Sequence, residues 1–124
     1  MKQPVSTPAA PAAIGPYSQA IDLGNMVFIS GQIPVNPATG EIPEGIKAQT
    51  AQSIANIKAI LAEASLTIDN VVKTTVFLAD MADFTAMNEV YAESFTAPFP
   101  ARSAVAVREL PKQVLVEIET IAVR

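Results

Sequence analysis

Two stretches of this chain are apolar on both faces that a β-strand offers, and this limits the architecture more than any other feature. In Val71–Ala79, the residues Val72, Val76 and Leu78 alternate with Val71, Phe77 and Ala79. In Val114–Val123, the residues Val114, Val116, Ile118 and Ala122 alternate with Leu115, Ile121 and Val123. A sheet covered on one side only should carry polar residues at every second position. Here both sides ask for a cover. The chain offers two helices for that purpose. Ile46, Thr50, Ile54, Ile57, Leu61 and Ala64 recur at steps of four and three, with Lys47, Gln52, Asn56 and Glu63 largely off the stripe. A second helix starts after Asp80 and Asp83 and runs to about Phe95, carrying Phe84, Met87 or Asn88, Tyr91 and Phe95 at helical spacing. Two helices suffice for one sheet face. The second cover is then expected to be another copy of the chain, unless strand ends curl onto the N-terminal segment of the same chain.

The remaining elements follow from turn chemistry. Pro4, Pro8, Pro11 and Pro16 among alanines suit an extended lead-in over residues 1–14, with order expected from about Tyr17. Tyr17–Asp22 and Met26–Gln32 read as strands joined through Leu23-Gly24-Asn25. Asn36-Pro37-Ala38-Thr39-Gly40 reads as a tight turn before a short strand at Glu41 and Ile42. Arg102–Glu109 and Val114–Val123 close the series across Leu110-Pro111-Lys112-Gln113. The order β-β-(β)-α-β-α-β-β predicts an α+β fold, a mixed sheet with two helices on one face, in a single domain spanning residues 1–124.

Composition removes several function classes. Twelve acidic against eight basic side chains give a net charge of −4, a surface that repels phosphate backbones, so nucleic acid is not an expected partner. There is no Cys and no His, which removes thiol nucleophiles, zinc–thiolate sites and the commonest general base. No metal site is expected. No apolar run approaches the roughly 20 residues of a membrane span, and the N-terminus lacks a signal-peptide core, so a cytoplasmic location is expected and no membrane partner.

Among the residues left to do chemistry, Arg102 stands out. It sits in Phe99-Pro100-Ala101-Arg102-Ser103-Ala104-Val105-Ala106-Val107, sharing a strand face with Ala104 and Ala106. A guanidinium does not shed its charge, so among small apolar neighbours it needs an anion with two acceptors. Glu117, Glu119 or a ligand carboxylate each fit. Alternation cannot choose between the two glutamates, because both share a face with Leu115, Ile121 and Val123.

Seven segments together resemble one family. Gly15-Pro16-Tyr17-Ser18-Gln19-Ala20, Ser30-Gly31-Gln32-Ile33-Pro34, Val72-Lys73-Thr74-Thr75-Val76-Phe77-Leu78, Asn88-Glu89-Val90-Tyr91, Pro100-Ala101-Arg102-Ser103, Leu110-Pro111-Lys112 and Val116-Glu117-Ile118-Glu119 are similar to the reactive intermediate deaminase (Rid, or YjgF) family and its RidA branch. The match runs from Gly15 to the C-terminus. The resemblance implies a chorismate-mutase-like fold, a homotrimer whose sheets form a central barrel, and ligand sites between subunits. It implies hydrolysis of enamines and imines such as 2-aminoacrylate, released by pyridoxal-phosphate dehydratases, to 2-oxo acids and ammonia, with no cofactor in the deaminase itself. The alternative within the same fold is a regulatory module that binds small carboxylates without catalysis.

The resemblance makes Arg102 the substrate anchor and selects Glu117 as the acid that orients the attacking water, a role that burial of its carboxyl suits. Tyr17, at the mouth of a strand, would wall the pocket. Asn88 falls on the apolar side of its helix and must find polar partners there. Ser30 and Gly31 are expected to end a strand where a ligand approaches the backbone, with the Gly31 and Ala104 amides helping to hold the substrate carboxylate. The chain departs from the family in three places: Ala104 stands where a Cys is common, Ser65 where a Gly often caps the first helix, and the stretch between Phe95 and Arg102 is short and proline-rich, which bears on the pocket rim and the substrate range.

Overall fold

The computed structural model describes residues 1–124. Eight main elements follow one another: β1 (Gln3–Val5), β2 (Ala20–Asp22), β3 (Met26–Gln32), α1 (Ile46–Glu63), β4 (Val71–Leu78), α2 (Phe84–Ser94), β5 (Ala101–Ala106) and β6 (Val116–Val123). The strands make one six-stranded sheet in the order β1-β2-β3-β6-β4-β5. Every neighbouring pair is antiparallel except β4 and β5, which α2 connects as a parallel crossover. The α+β architecture and the two-helix layer are as the sequence predicts.

Both helices cover the same face. Ile54, Ile57, Ile60 and Leu61 of α1 and Met87 and Tyr91 of α2 are buried against Val27, Ile29, Val76, Leu78, Val116, Ile118 and Ala122. These strand residues alternate with the side chains of the other face. There, Val105, Phe77 and Glu117 line up across β5, β4 and β6, and Phe28 pairs with Ile121. Phe28 is 41% and Val105 46% exposed, so this apolar face has no cover within the chain. The lead-in does not supply one: it runs beside β2 and adds Val5 and Ala10 to the helix-side core.

The structure corrects the sequence reading at several boundaries. Order begins well before Tyr17, because the buried Gln19 side chain bonds the lead-in at Thr7, Ala10 and Pro11. No strand forms at Glu41 and Ile42. The Asn36 amide donates to the Glu41 carbonyl at 2.8 Å and Gly40 donates back to Asn36 at 2.7 Å, closing the segment as a loop. Ser30 and Gly31 do not end their strand but interrupt it. Ile29 pairs with Thr120 and Gln32 with Ile118, so two residues bulge opposite one. Ser65 follows α1 at φ 62°, the left-handed position that favours glycine.

Candidate active site

Arg102 enters the site from β5, level with Thr74 of β4 and therefore on the helix side of the sheet. Its Nη1 donates to Asn88 Oδ1 at 2.7 Å. The guanidinium carbon lies 4.7 Å from the centre of the Tyr91 ring and 5.6 Å from that of Phe84. Phe84, Asn88 and Tyr91 are spaced four and three apart on α2, and so present one ridge to the guanidinium. Tyr91 is fixed in turn: its hydroxyl shares a 2.7 Å hydrogen bond with Thr74 Oγ1 and its ring stacks on Phe95 at 4.4 Å. Burial, its largest influence, pushes the Tyr91 hydroxyl above the ordinary phenol range, which keeps it neutral beneath the cation.

No carboxylate pairs with Arg102. The two ion pairs of the chain join Lys47 to Glu89 and Arg124 to Asp22. The Arg102–Glu117 or Arg102–Glu119 bridge left open by the sequence therefore does not form within the chain, because the partners lie on opposite faces. Glu117 pairs with Phe77 and Glu119 with Thr75, whereas Arg102 is level with Thr74. The rest of the guanidinium faces a cleft lined by Asn88, Tyr91, Ala92, Phe99 and Pro100. Ala104 packs its methyl against the core. Its amide points away from β4: Val107 N–H donates to the Leu78 carbonyl, and in a parallel ladder donors of one parity serve the neighbour, leaving Arg102, Ala104 and Ala106 to the free edge.

The second group of residues gathers around β3 and β6, the two central strands, with Glu117 on the other side of the sheet from Arg102. Glu117 is half-buried, and burial first, then the negative charge of Glu119, holds its carboxyl above the usual carboxylate range. This carboxyl lies on the Gly31 backbone so closely that any side chain at Gly31 would overlap it. The bulge and the glycine together let the acid approach β3. Ser30 Oγ donates to the Ser18 carbonyl at 2.7 Å, tying the bulge to the turn that carries Tyr17. Tyr17 is 53% exposed and, with Gly31, lines a second cleft of about 410 Å³ between the lead-in and the segment after β3. Thus Arg102, Asn88 and Ala104 form one group and Tyr17, Ser30, Gly31 and Glu117 another.

Tyr91, Phe84 and Phe99 around the guanidinium were not singled out from the sequence as site residues. For Phe84 and Tyr91 the signal was present in the four-and-three spacing with Asn88, but the same spacing describes a core stripe, and Tyr91 serves both; Phe99, outside the helix, carried no such signal.

The sequence profile of the endoribonuclease L-PSP family matches residues 7–124. The chain belongs to this family, the Rid or YjgF family. A relative from Escherichia coli strain K12, named 2-iminobutanoate/2-iminopropanoate deaminase, is 55% identical over 127 aligned residues that cover 100% of this chain and 99% of the relative. Among solved Rid-family structures, the YjgF gene product of E. coli superposes with a TM-score of 0.93 at 54% identity, covering 98% of each chain. E. coli TdcF with bound serine superposes with a TM-score of 0.94 at 50% identity, again over 98% of each chain. No helix of the chain is long and apolar enough to cross a membrane.

Proposed function

We propose that the protein is a hydrolytic deaminase of reactive 2-imino acids and their enamine tautomers, 2-aminoacrylate among them, yielding 2-oxo acids and ammonia. The observation that carries this reading is Arg102, a guanidinium braced by Asn88, Tyr91 and Phe84 with no carboxylate of the chain on it. Such a cation is preorganised for a ligand carboxylate. The relatives named 2-iminobutanoate/2-iminopropanoate deaminase support the choice of substrate.

The opposed faces of Arg102 and Glu117, together with the uncovered apolar face, support a site completed between subunits of a homotrimer. In that reading the Arg102 group of one copy meets the Tyr17, Gly31 and Glu117 group of its neighbour. Arg102 and the Gly31 and Ala104 amides hold the carboxylate. Glu117 takes a proton from water as the oxygen bonds to C2 of the imine and the C=N electron pair moves to nitrogen; Glu117 hands that proton to the nitrogen, giving the neutral carbinolamine and restoring its carboxylate. The carbinolamine then collapses: the hydroxyl proton passes through Glu117 to nitrogen, C=O forms and ammonia leaves. Nothing in this sequence of steps needs a cofactor, and Ala104 does not impair it, because the part played there is the backbone's. The protein acts as a single domain in the cytoplasm, beside the pyridoxal-phosphate dehydratases that release such intermediates.

A second reading, a small-carboxylate-binding regulatory module, is favoured by one observation, the TdcF relative solved with bound serine. Ribonuclease activity, which the family description suggests, is disfavoured by the net charge of −4 and the lack of His. Generating 2-aminoacrylate with a dehydratase separates these readings. Faster release of pyruvate and ammonia in the protein's presence supports the deaminase, whereas an unchanged rate leaves the binding module ahead.

A further inference from the structure

Gln19 is 4% exposed and spends its whole side-chain amide on the lead-in. Its Oε1 accepts from the Thr7 amide at 2.7 Å, while Nε2 donates to the carbonyls of Pro11 at 2.8 Å, Thr7 at 3.1 Å and Ala10 at 3.3 Å. Pro8 and Pro11 lack an N–H, so this segment cannot be held by an ordinary strand ladder. One side chain substitutes for it. The segment so held lines the 410 Å³ cleft through Pro8, Ala10 and Pro11, together with Ile33, Val35, Tyr17 and Gly31. Gly31 is also the residue on which the Glu117 carboxyl rests. An imino acid reacting beside Glu117 thus has a largely apolar cleft next to it, and its side chain is the part of the substrate suited to fill that space.

We propose that Gln19 is a positioning residue for specificity: by latching residues 7–11 it builds the wall against which the side chain of larger aliphatic imino acids packs. This rests on the deaminase reading. The cleft already has room for a branched four-carbon group, so releasing the wall removes apolar contact rather than creating space. Larger substrates should suffer and the smallest should not.

The test compares wild type with Gln19→Glu and Gln19→Leu on the imines of alanine and leucine, generated in situ by an amino-acid oxidase. Gln19→Glu keeps the acceptor for the Thr7 amide and loses the three donor bonds, so it preserves more of the fold than Gln19→Leu. Hydrogen exchange at the Thr7 and Ala9 amides reports release of the latch. The expected result is a KM for the leucine imine raised about five- to ten-fold with kcat unchanged, and a KM for the alanine imine within about two-fold of wild type. Equal losses on both imines, or faster exchange with no change in their ratio, overturn the proposal. Binding of pyruvate and 4-methyl-2-oxopentanoate is measured in parallel. If wild type hydrolyses neither imine, the deaminase reading fails, and the affinity ratio of the two oxo acids in the variants still decides whether Gln19 sets the preference.

Discussion

At the scale of single residues, a cation and an acid are held in different ways. Arg102 is aimed by geometry, one hydrogen bond to Asn88 and two aromatic faces, leaving guanidinium donors for a carboxylate. Arg102→Lys keeps the charge and loses the fork. It should lower kcat/KM about ten- to a hundred-fold, the worth of one charge-assisted bond of about 1.5–3 kcal/mol, with the circular dichroism of the fold unchanged. Turnover equal to wild type would remove Arg102 as anchor. Glu117 is tuned by its surroundings: burial, then the Glu119 charge, raises its pKa above that of an ordinary carboxyl. The water-activating form is the carboxylate, so kcat/KM should fall as pH drops through that raised pKa, and the acid limb should inflect above the usual carboxylate range. Neutralising Glu119 removes part of what raises the pKa. Glu119→Gln should therefore shift the inflection to lower pH while leaving turnover at neutral pH within a few-fold, whereas Glu117→Gln should abolish most turnover and spare binding of a 2-oxo acid. An unmoved inflection in Glu119→Gln contradicts the assignment.

Among elements, those whose information is local were legible from the sequence. The α1 stripe from Ile46 and the β-branched run of β4 fix both elements within a residue or two, since period alone distinguishes them. What escaped depends on contacts distant in sequence. The lead-in lacks the pattern of a strand, yet it is ordered because Gln19, 8 to 12 residues away, supplies its hydrogen bonds. Glu41 and Ile42 look like a strand, but the Glu41 carbonyl and amide are taken up within their own loop, by the Asn36 amide and the Thr39 hydroxyl. Alternation within β5 and β6 groups residues by face but does not say which face of the sheet each group occupies. Only the register of both strands with β4 reveals that Arg102 and Glu117 diverge. The end of α1 was legible in advance, because Ser65 occupies the left-handed position predicted for it. Ser65→Gly should relieve that strain and stabilise the protein by about 0.5–1 kcal/mol, after the greater chain entropy of glycine is offset. Urea midpoints at fixed protein concentration measure it, and a lower midpoint for the variant would mean that Ser65 is not strained.

For the whole molecule, the two-faced strands and the divided site lead to the same conclusion. An apolar face bearing Phe28, Phe77, Val105 and Ile121 is left open by two helices that both cover the other side. In a homotrimer those faces cover one another, and light scattering should report roughly 39 kDa against 13.0 kDa for one chain. In the proposed assembly each active site takes Arg102 from one chain and Glu117 from another. Refolding Arg102→Lys and Glu117→Gln chains together in equal amounts tests this most directly, with release of 2-oxo acid from an imine as the readout. Random assembly gives each interface a one-in-four chance of combining the intact Arg102 with the intact Glu117, so the mixture should recover about a quarter of wild-type activity from two nearly inactive parents. Activity no greater than the sum of the two parents would contradict the shared site.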